Sequence, residues 1–406
     1  MLMFIESIWK MLNKATQEFI KAHRLDNVQK LALQSKTLSN QEIDFPAALT
    51  QIAGRQTIEH KLPSWYNLDA IIYPVRLSLE QCSSEYTAQY KSSLLSGNSL
   101  VDLTGGFGVD TAFLSEKFSV AAYVEQQEEL SAIAKHNFQV LGLNHIQTYF
   151  ADGVTYLKAM DKVDCIYLDP ARRSDSGKKV MLIEDCEPNL IQIQDLLLEK
   201  ANQVLIKLSP MLDINAALKS LKYVHEIHVV SVENECKELL FLLKKGENQD
   251  PLITAVNLKK KGEHSFVSFH FSEEKEIEID YFSEVETYIY EPNASLLKAG
   301  FYKGTAKQYQ LKKLHPDSHL YTSNQLVSNF PGRIFKVEAV SSMNKKDLSP
   351  FLKNMEKANI SVRNFPLSTA ELRKKLKLKD GGEVYLFATT LKNAKHILIK
   401  SSKHLN

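Results

Sequence analysis

The chain has 406 residues, long enough for two or three domains with separate cores, and its 44% apolar and 24% charged content is close to that of an ordinary soluble protein. No apolar stretch is long enough to span a bilayer, and MLMFIESIWK is broken by Glu6 and Lys10 with no small-residue cleavage site after it, which argues against a secretory signal. The net charge of +2 conceals an asymmetry: from Arg333 onward there are 16 Lys/Arg against 6 Asp/Glu, so the remainder carries 34 against 42. A basic C-terminal segment on a mildly acidic body points to a polyanionic partner, with a solvated helix face as the competing reading of RKKLKLK.

The four cysteines, Cys82, Cys165, Cys186 and Cys236, lie far apart with no C-x-x-C and no His at ligand spacing. They read as reduced thiols of a cytoplasmic protein, and neither a disulfide frame nor a metal site is expected.

Along the chain, IESIWKMLNKATQEFIKAH and VQKLALQSK carry apolar residues at helical spacing, so residues 1–98 are expected to be helical. Pro46 and Pro63 punctuate FPAALTQIAGRQTIEHKLPSWY, and RLSLEQCSSEYTAQYKSSLL predicts a short loop and one helix capped by the Ser83-Ser84 pair. From Ser99 the strands SLVDLT, VAAYVE, IQTYFA, CIYLD and VLIKLS alternate with helices. Near-continuous apolar strands in that alternation predict an α/β, Rossmann-like parallel sheet covered on both faces. VHEIHVVSV and ELLFLLKK follow too closely for a crossover helix, so they are expected to form an antiparallel terminal hairpin at the sheet edge.

After Gly246 the strands ITAVNL, SFVSFHF and EIEIDYF lead into YIYEPNASLLKAG. FKVEAV, a helix around SPFLKNMEKA, ISVRNF, the helix STAELRKKLKL and VYLFATTL then predict a small C-terminal α+β region. The expected division is 1–98 helical, 99–246 α/β, 247–322 α+β and 323–406 basic.

The chemistry concentrates in VDLTGGFGVDT, residues 101–111. Asp102 ends a strand, where ligands bind in open α/β sheets, and Gly105, Gly106 and Gly108 let the backbone turn and approach a ligand closely. A triphosphate loop would need Lys-Ser/Thr after the glycines, and none is present. A dinucleotide turn would place a third glycine where Thr111 stands.

The companions at later strand ends separate the remaining cofactors. Glu125 can accept two ribose hydroxyls, which serves NAD and S-adenosylmethionine (SAM) alike. Asp152, followed by Gly153, can accept an adenine amino group, and Asp169-Pro170 lies where a transferable methyl would be. Asp102 suits the cationic amino-acid end of SAM and would repel a pyrophosphate. SAM is the cofactor that the charges favour.

Residues from about Arg76 to Lys245 resemble a class I SAM-dependent methyltransferase. EQCSSEYTAQYKSSLL, DLTGGFGVDT, AKHNFQVLGL and the Asp-Pro motif are similar to the trimethylguanosine synthase-like and RNA N-methyltransferase group. With YIYEPNASLLKAGFYKG and the basic tail, the chain resembles a bacterial methyltransferase family with a ferredoxin-like insertion and a THUMP-like C-terminal domain. The resemblance implies that Asp102, Thr104, Gly105, Gly106 and Gly108 hold the methionine part of SAM, Glu125 the ribose, and Asp152 with Gly153 the adenine, with Asp110 a further cofactor contact. It also implies that Ser83, Ser84 and Glu85 close over the cofactor, Ser84 as a cofactor contact, unless that helix serves packing only.

Asp169, Pro170 and Arg172 are the expected catalytic group. The family's exocyclic-amine methyltransferases place an aromatic ring after Asn/Asp-Pro-Pro, whereas this chain reads Asp169-Pro170-Ala171-Arg172-Arg173. Arg172 is positioned to stack through its guanidinium plane, and either arginine to bind a phosphate. Pairing with Glu184, Asp185 or Glu187 is the structural alternative. Lys207 and Ser209, at the end of the fifth strand, are candidate substrate contacts together with Arg173. The expected reaction is methylation of a base nitrogen in structured RNA, tRNA or rRNA, delivered by the basic C-terminal domain. Methylation of a small molecule or protein, and RNA binding without catalysis, are the alternatives.

Overall fold

The computed structural model describes residues 12–34, 42–172, 183–246 and 250–404. The chain divides into two compact units, Met1–Glu226 with Leu239–Gln249, and Ile227–Glu238 with Asp250–Asn406.

The first unit opens with helices α1 (Lys14–His23), α2 (Val28–Leu33) and α3 (Phe45–Ile58). Asn13 and Asp44 cap α1 and α3 by accepting from the N–H groups of Thr16 at 2.8 Å and Ala47 at 3.0 Å. Pro46 sits in the first turn of α3, where its missing N–H breaks no helical bond. Phe19, Leu31, Phe45, Ala48 and Ile52 form the core that holds the three helices together. The expected helical residues 5–11 and 35–36 lie outside the described residues.

The next stretch forms two helices, α4 (Arg76–Gln81) and α5 (Glu85–Ser92), where the sequence suggests a loop and one helix. Ser84 caps α5 by accepting from Thr87 N–H.

Strands and helices then alternate: β1 (Ser99–Asp102), α6 (Val109–Ser115), β2 (Val120–Glu125), α7 (Glu128–Val140), β3 (Ile146–Phe150), α8 (Gly153–Ala159) and β4 (Val163–Leu168). A two-residue ladder, β5 (Ala171–Arg172) with β6 (Cys186–Glu187), precedes α9 (Leu190–Lys200) and β7 (Ala201–Leu208). The strand order β7-β4-β1-β2-β3 is parallel throughout. Ile166, Leu168, Val204, Leu205 and Ile206 are fully buried, as strands sheltered on both faces require. Leu239–Lys244 pairs antiparallel with Gln203–Leu208.

A buried polar network fixes α5 against this sheet. Lys91 of α5 is wholly buried, 3.2 Å from the carboxylate of Asp110 on α6. Asp110 also accepts from Ser83 Oγ at 2.8 Å and from Tyr167 Oη, on β4, at 2.7 Å. Burial alone would raise the Asp110 pKa, but the Lys91 and Lys207 ammoniums and these two hydroxyls hold it below the usual carboxylate range.

In the second unit, Glu233 and Asn234, both at positive φ, make the two-residue turn between β8 (Val224–Val232) and β9 (Glu235–Lys244). The hairpin is not a sheet edge. Ser231 Oγ donates to the Val256 carbonyl on β10 (Leu252–Leu258), and β10 pairs antiparallel with β11 (Ser265–His270). The strand expected at EIEIDYF is absent, apart from one bridge between Tyr281 and Lys313. Just before that segment, Glu274 accepts from the N–H groups of Lys303 and Gly304, at the start of the helix Tyr302–Gln308.

Seven strands build the second sheet: β12 (Tyr288–Pro292), β13 (Lys312–Lys313), β14 (Tyr321–Ser323), β15 (Gly332–Ser342), β16 (Asn359–Arg363), β17 (Val384–Thr390) and β18 (His396–Lys403). Their order is β13-β14-β12-β15-β18-β17-β16, with only β16 and β17 parallel. The helix expected around SPFLKNMEKA runs earlier, over Lys345–Phe351, and the chain turns at Asn354 with φ of 65°. Thr369–Leu376 is a helix closed by a capping box between Ser368 and Glu371.

The Lys91–Asp110 pair yields a stability prediction. Lys91→Met leaves a buried carboxylate uncompensated and is expected to lower stability in urea by about 3–5 kcal/mol near neutral pH. Because Asp110 has a depressed pKa, its stabilising effect is present above the unfolded value of about 4 and is lost as pH falls through the folded one. The gap between wild type and variant therefore narrows in acid.

Candidate functional site

The carboxyl ends of the neighbouring parallel strands β1, β2 and β4 bring three acids to one end of the sheet, and β7 adds a lysine. Asp102, 1% exposed, accepts from Thr104 N–H at 2.9 Å on one oxygen and from Thr111 Oγ1 at 2.5 Å on the other. Burial pushes its carboxyl up to about 7, against the pull of those donors and with added repulsion from Asp110 and Asp169. This carboxylate is short of a cation. A ligand ammonium fits it and a phosphate does not. Thr111 stands where a dinucleotide turn has its third glycine, and it is the group that donates to Asp102.

The glycine turn is set by the next strand. A side chain at Gly105 would meet the Tyr123 ring at 2.2 Å, while Gly105 N–H donates to the Val124 carbonyl at 2.8 Å. Gly106, at φ +54°, donates its N–H to Glu125 Oε2 at 2.8 Å, and the other carboxylate oxygen accepts from Gln127 N–H at 2.8 Å. Tyr123 Oη donates to the Gly106 carbonyl at 2.6 Å. Glu125 thus clamps the turn, and each of its oxygens keeps a lone pair for a ligand hydroxyl. Gly108, in the left-handed region, starts α6.

At the third strand end, Asp152 is exposed and accepts from both the N–H and the hydroxyl of Thr155 at 2.8 Å, capping α8. Gly153 lies against the Leu103 carbonyl, which a side chain there would meet at 2.4 Å. The third strand end is thereby pressed onto the turn after β1.

Asp169 follows β4, and its N–H donates to Thr104 Oγ1 at 2.6 Å, joining the Asp-Pro segment to the glycine turn. Its carboxylate pairs with the Lys207 ammonium, from the neighbouring strand β7. Ser209 Oγ accepts from Met211 N–H at 3.3 Å. After Pro170 the backbone of Ala171 and Arg172 runs into the ladder with Cys186 and Glu187. Arg173 lies outside the described residues.

Ser83, Ser84, Glu85 and Asp110 serve the framework in this structure. Ser83 and Asp110 belong to the Lys91 network, and Glu85 accepts from the N–H and hydroxyl of Ser64 at 3.0 and 2.9 Å. Sequence reasoning missed Lys91, Tyr123 and Tyr167. For Lys91 a signal existed: it falls on the same helical face as Thr87, Ala88 and Ser92, a stripe too polar for an ordinary core. Among the described residues no cluster of metal-ligating side chains occurs, and no helix is long and apolar enough to cross a membrane.

A Rossmann-like sheet, a glycine turn and acids at successive strand ends define a class I methyltransferase, dependent on SAM. The comparisons agree. Residues 288–331 match the model of a ferredoxin-like domain, and residues 332–403 that of a THUMP domain-like module. A solved structure from Porphyromonas gingivalis W83, assigned as a methyltransferase, is 37% identical, with 98% of each chain covered and a TM-score of 0.87. Two Mycobacterium tuberculosis relatives, each named an uncharacterised SAM-dependent methyltransferase, are 23% identical over 304 residues, covering 74% of this chain and 80% of theirs. The chain belongs to the family of class I SAM-dependent methyltransferases with ferredoxin-like and THUMP-like C-terminal domains.

The raised pKa of Asp102 predicts how cofactor affinity responds to pH. Below about 7 the carboxyl holds a proton that a cationic ligand must displace; above it the site is already anionic. The shift in melting temperature given by SAM is expected to be larger at pH 7.5 than at pH 5.5. Asp102→Asn should abolish the difference. A shift independent of pH would place the ligand ammonium elsewhere.

Proposed function

We propose that the chain transfers the methyl group of SAM to a base nitrogen in structured RNA, tRNA or rRNA. The observation that carries this reading is Asp169, tied to the glycine turn through Thr104 and held on one oxygen by Lys207.

Asp102 would hold the cofactor's ammonium, Gly105, Gly106 and Gly108 its methionine part, Glu125 the ribose, and Asp152 with Gly153 the adenine. SAM supplies a methyl carbon already activated by its sulfonium, so the protein's part is alignment. The free oxygen of Asp169 and the Pro170 carbonyl accept the two hydrogens of a target amine and leave its lone pair facing the methyl. As the nitrogen–methyl bond formed and the sulfur–methyl bond broke, releasing neutral S-adenosylhomocysteine, Asp169 would meet the positive charge growing on nitrogen, and the surplus proton would pass to solvent. Lys207 holds the Asp169 carboxylate in place. In sequence, Arg172 and Arg173 stand where the resembled amine methyltransferases carry a ring.

The RNA reading is supported by the THUMP domain-like match and by the charge of the same segment. Lys374, Lys375, Lys377 and Lys379 are all exposed, on or just after the helix Thr369–Leu376. One observation favours a small molecule or protein as substrate: Pro170 is followed by Ala171 and a short ladder, with no ring to stack on a base.

Two measurements test the proposal. Asp169→Ala in the purified protein, which removes the acceptor altogether, should cut methyl transfer to RNA by about 100-fold or more while leaving SAM affinity unchanged. Mass spectrometry of nucleosides from cells with and without the gene should show the loss of one base-methylated nucleoside. An unchanged profile would move the assignment to a small molecule or protein.

A further inference from the structure

Three arginines follow Gly332, and two of them converge on one carboxylate. Glu291, on β12 and only 2% exposed, stands opposite Arg333 in the antiparallel pairing with β15. Arg333 donates to its Oε2 through Nε at 2.8 Å and through Nη2. Arg363, from β16, donates to Oε1 at 2.9 Å, and Ser361 Oγ, two residues earlier on that strand, donates to the same oxygen at 3.2 Å.

The carboxylate neutralises only one of the two guanidiniums, so the group keeps a charge of +1. Both arginine side chains remain partly open, at 39% and 37% exposure, with N–H groups that Glu291 does not use. A buried acid with four donors fixes both forks in advance, so a ligand would not have to order them. Arg363 Nε, His319 Nδ1 and Thr389 Oγ1 are buried without a hydrogen-bond partner, and Thr389 is the register partner of Arg363 on β17. Polar capacity is therefore left over on the Arg363 side.

We propose that Arg333 and Arg363, set by Glu291, form a clamp for a phosphodiester of the RNA substrate. Arginine is the residue that planar, two-point recognition of a phosphate needs, and the other basic residues of this segment, Arg373 excepted, are lysines. Arg373 is taken by Asp380. The clamp rests on the RNA reading above and adds to it a specific anchoring point, away from the methyl-transfer residues in sequence and chemistry.

The test uses the full-length protein, bulk tRNA and inorganic pyrophosphate. Arg333→Gln/Arg363→Gln strands Glu291, so it is paired with a triple variant that also carries Glu291→Gln and leaves the core neutral. Melting curves verify that each variant folds. The triple variant should bind tRNA at least about tenfold more weakly, with the slope of log affinity against log salt reduced by about one to two. Lys345→Gln/Lys346→Gln, which removes two positive charges elsewhere against the triple variant's net loss of one, should nevertheless change binding less. Pyrophosphate binding, followed by calorimetry, should disappear in the triple variant. If tRNA binds wild type and triple variant alike, the clamp is wrong and the RNA reading stands. If tRNA does not bind wild type but pyrophosphate binds and is lost in the triple variant, the anion clamp stands and RNA is the wrong partner.

Discussion

Carboxylates crowded at the carboxyl ends of neighbouring parallel strands must each be neutralised, and the way each is neutralised organises this protein. Asp169 is paired with Lys207, and Asp110 with the wholly buried Lys91. Glu125 is satisfied by two backbone N–H groups, one of them from the glycine turn that it fixes. Asp102 has two donors but no cation, and burial raises its pKa to about 7. Among these four acids Asp102 therefore carries an unfilled electrostatic demand, the one that the proposed function gives to the ammonium of SAM. A buried pair is weak evidence for stability, but breaking one is costly, so these lysines are committed to their acids.

The same logic recurs in the second unit with the sign reversed. There one buried acid, Glu291, is surrounded by two arginines, and the excess is positive. The charge asymmetry of the sequence thus has a structural counterpart: anionic strand ends suited to a cationic cofactor, and a C-terminal sheet suited to an anion. Under the proposed function, SAM and a polyanion are the two ligands that those environments would serve.

The α/β alternation was legible because fully buried parallel strands have to be apolar almost throughout, and Asp102, Glu125 and Asp169 interrupt that pattern only at strand ends. The glycine turn was legible for a similar reason, since Gly105 faces Tyr123 too closely for any side chain. What sequence could not supply was partnership. Nothing in the spacing reveals that Thr111 serves Asp102, that Lys207 meets Asp169 or that Lys91 lies under Asp110, because these pairs are closed by the sheet and by helix packing. EIEIDYF failed for the same cause: its alternation fits a strand, but among the described residues the segment pairs only through the Tyr281–Lys313 bridge. The four strand-end residues at Asp102, Glu125, Asp152 and Asp169 were identifiable one by one; their division of labour was not.

The account rests on where the cofactor's positive charges lie, and a crystal structure of the full-length protein with SAM measures that directly. The prediction is an ammonium within hydrogen-bonding distance of Asp102 and a methyl group directed at Asp169, with Glu125 on the ribose. A ligand whose ammonium contacts neither oxygen of Asp102, or whose methyl faces away from Asp169, would contradict it.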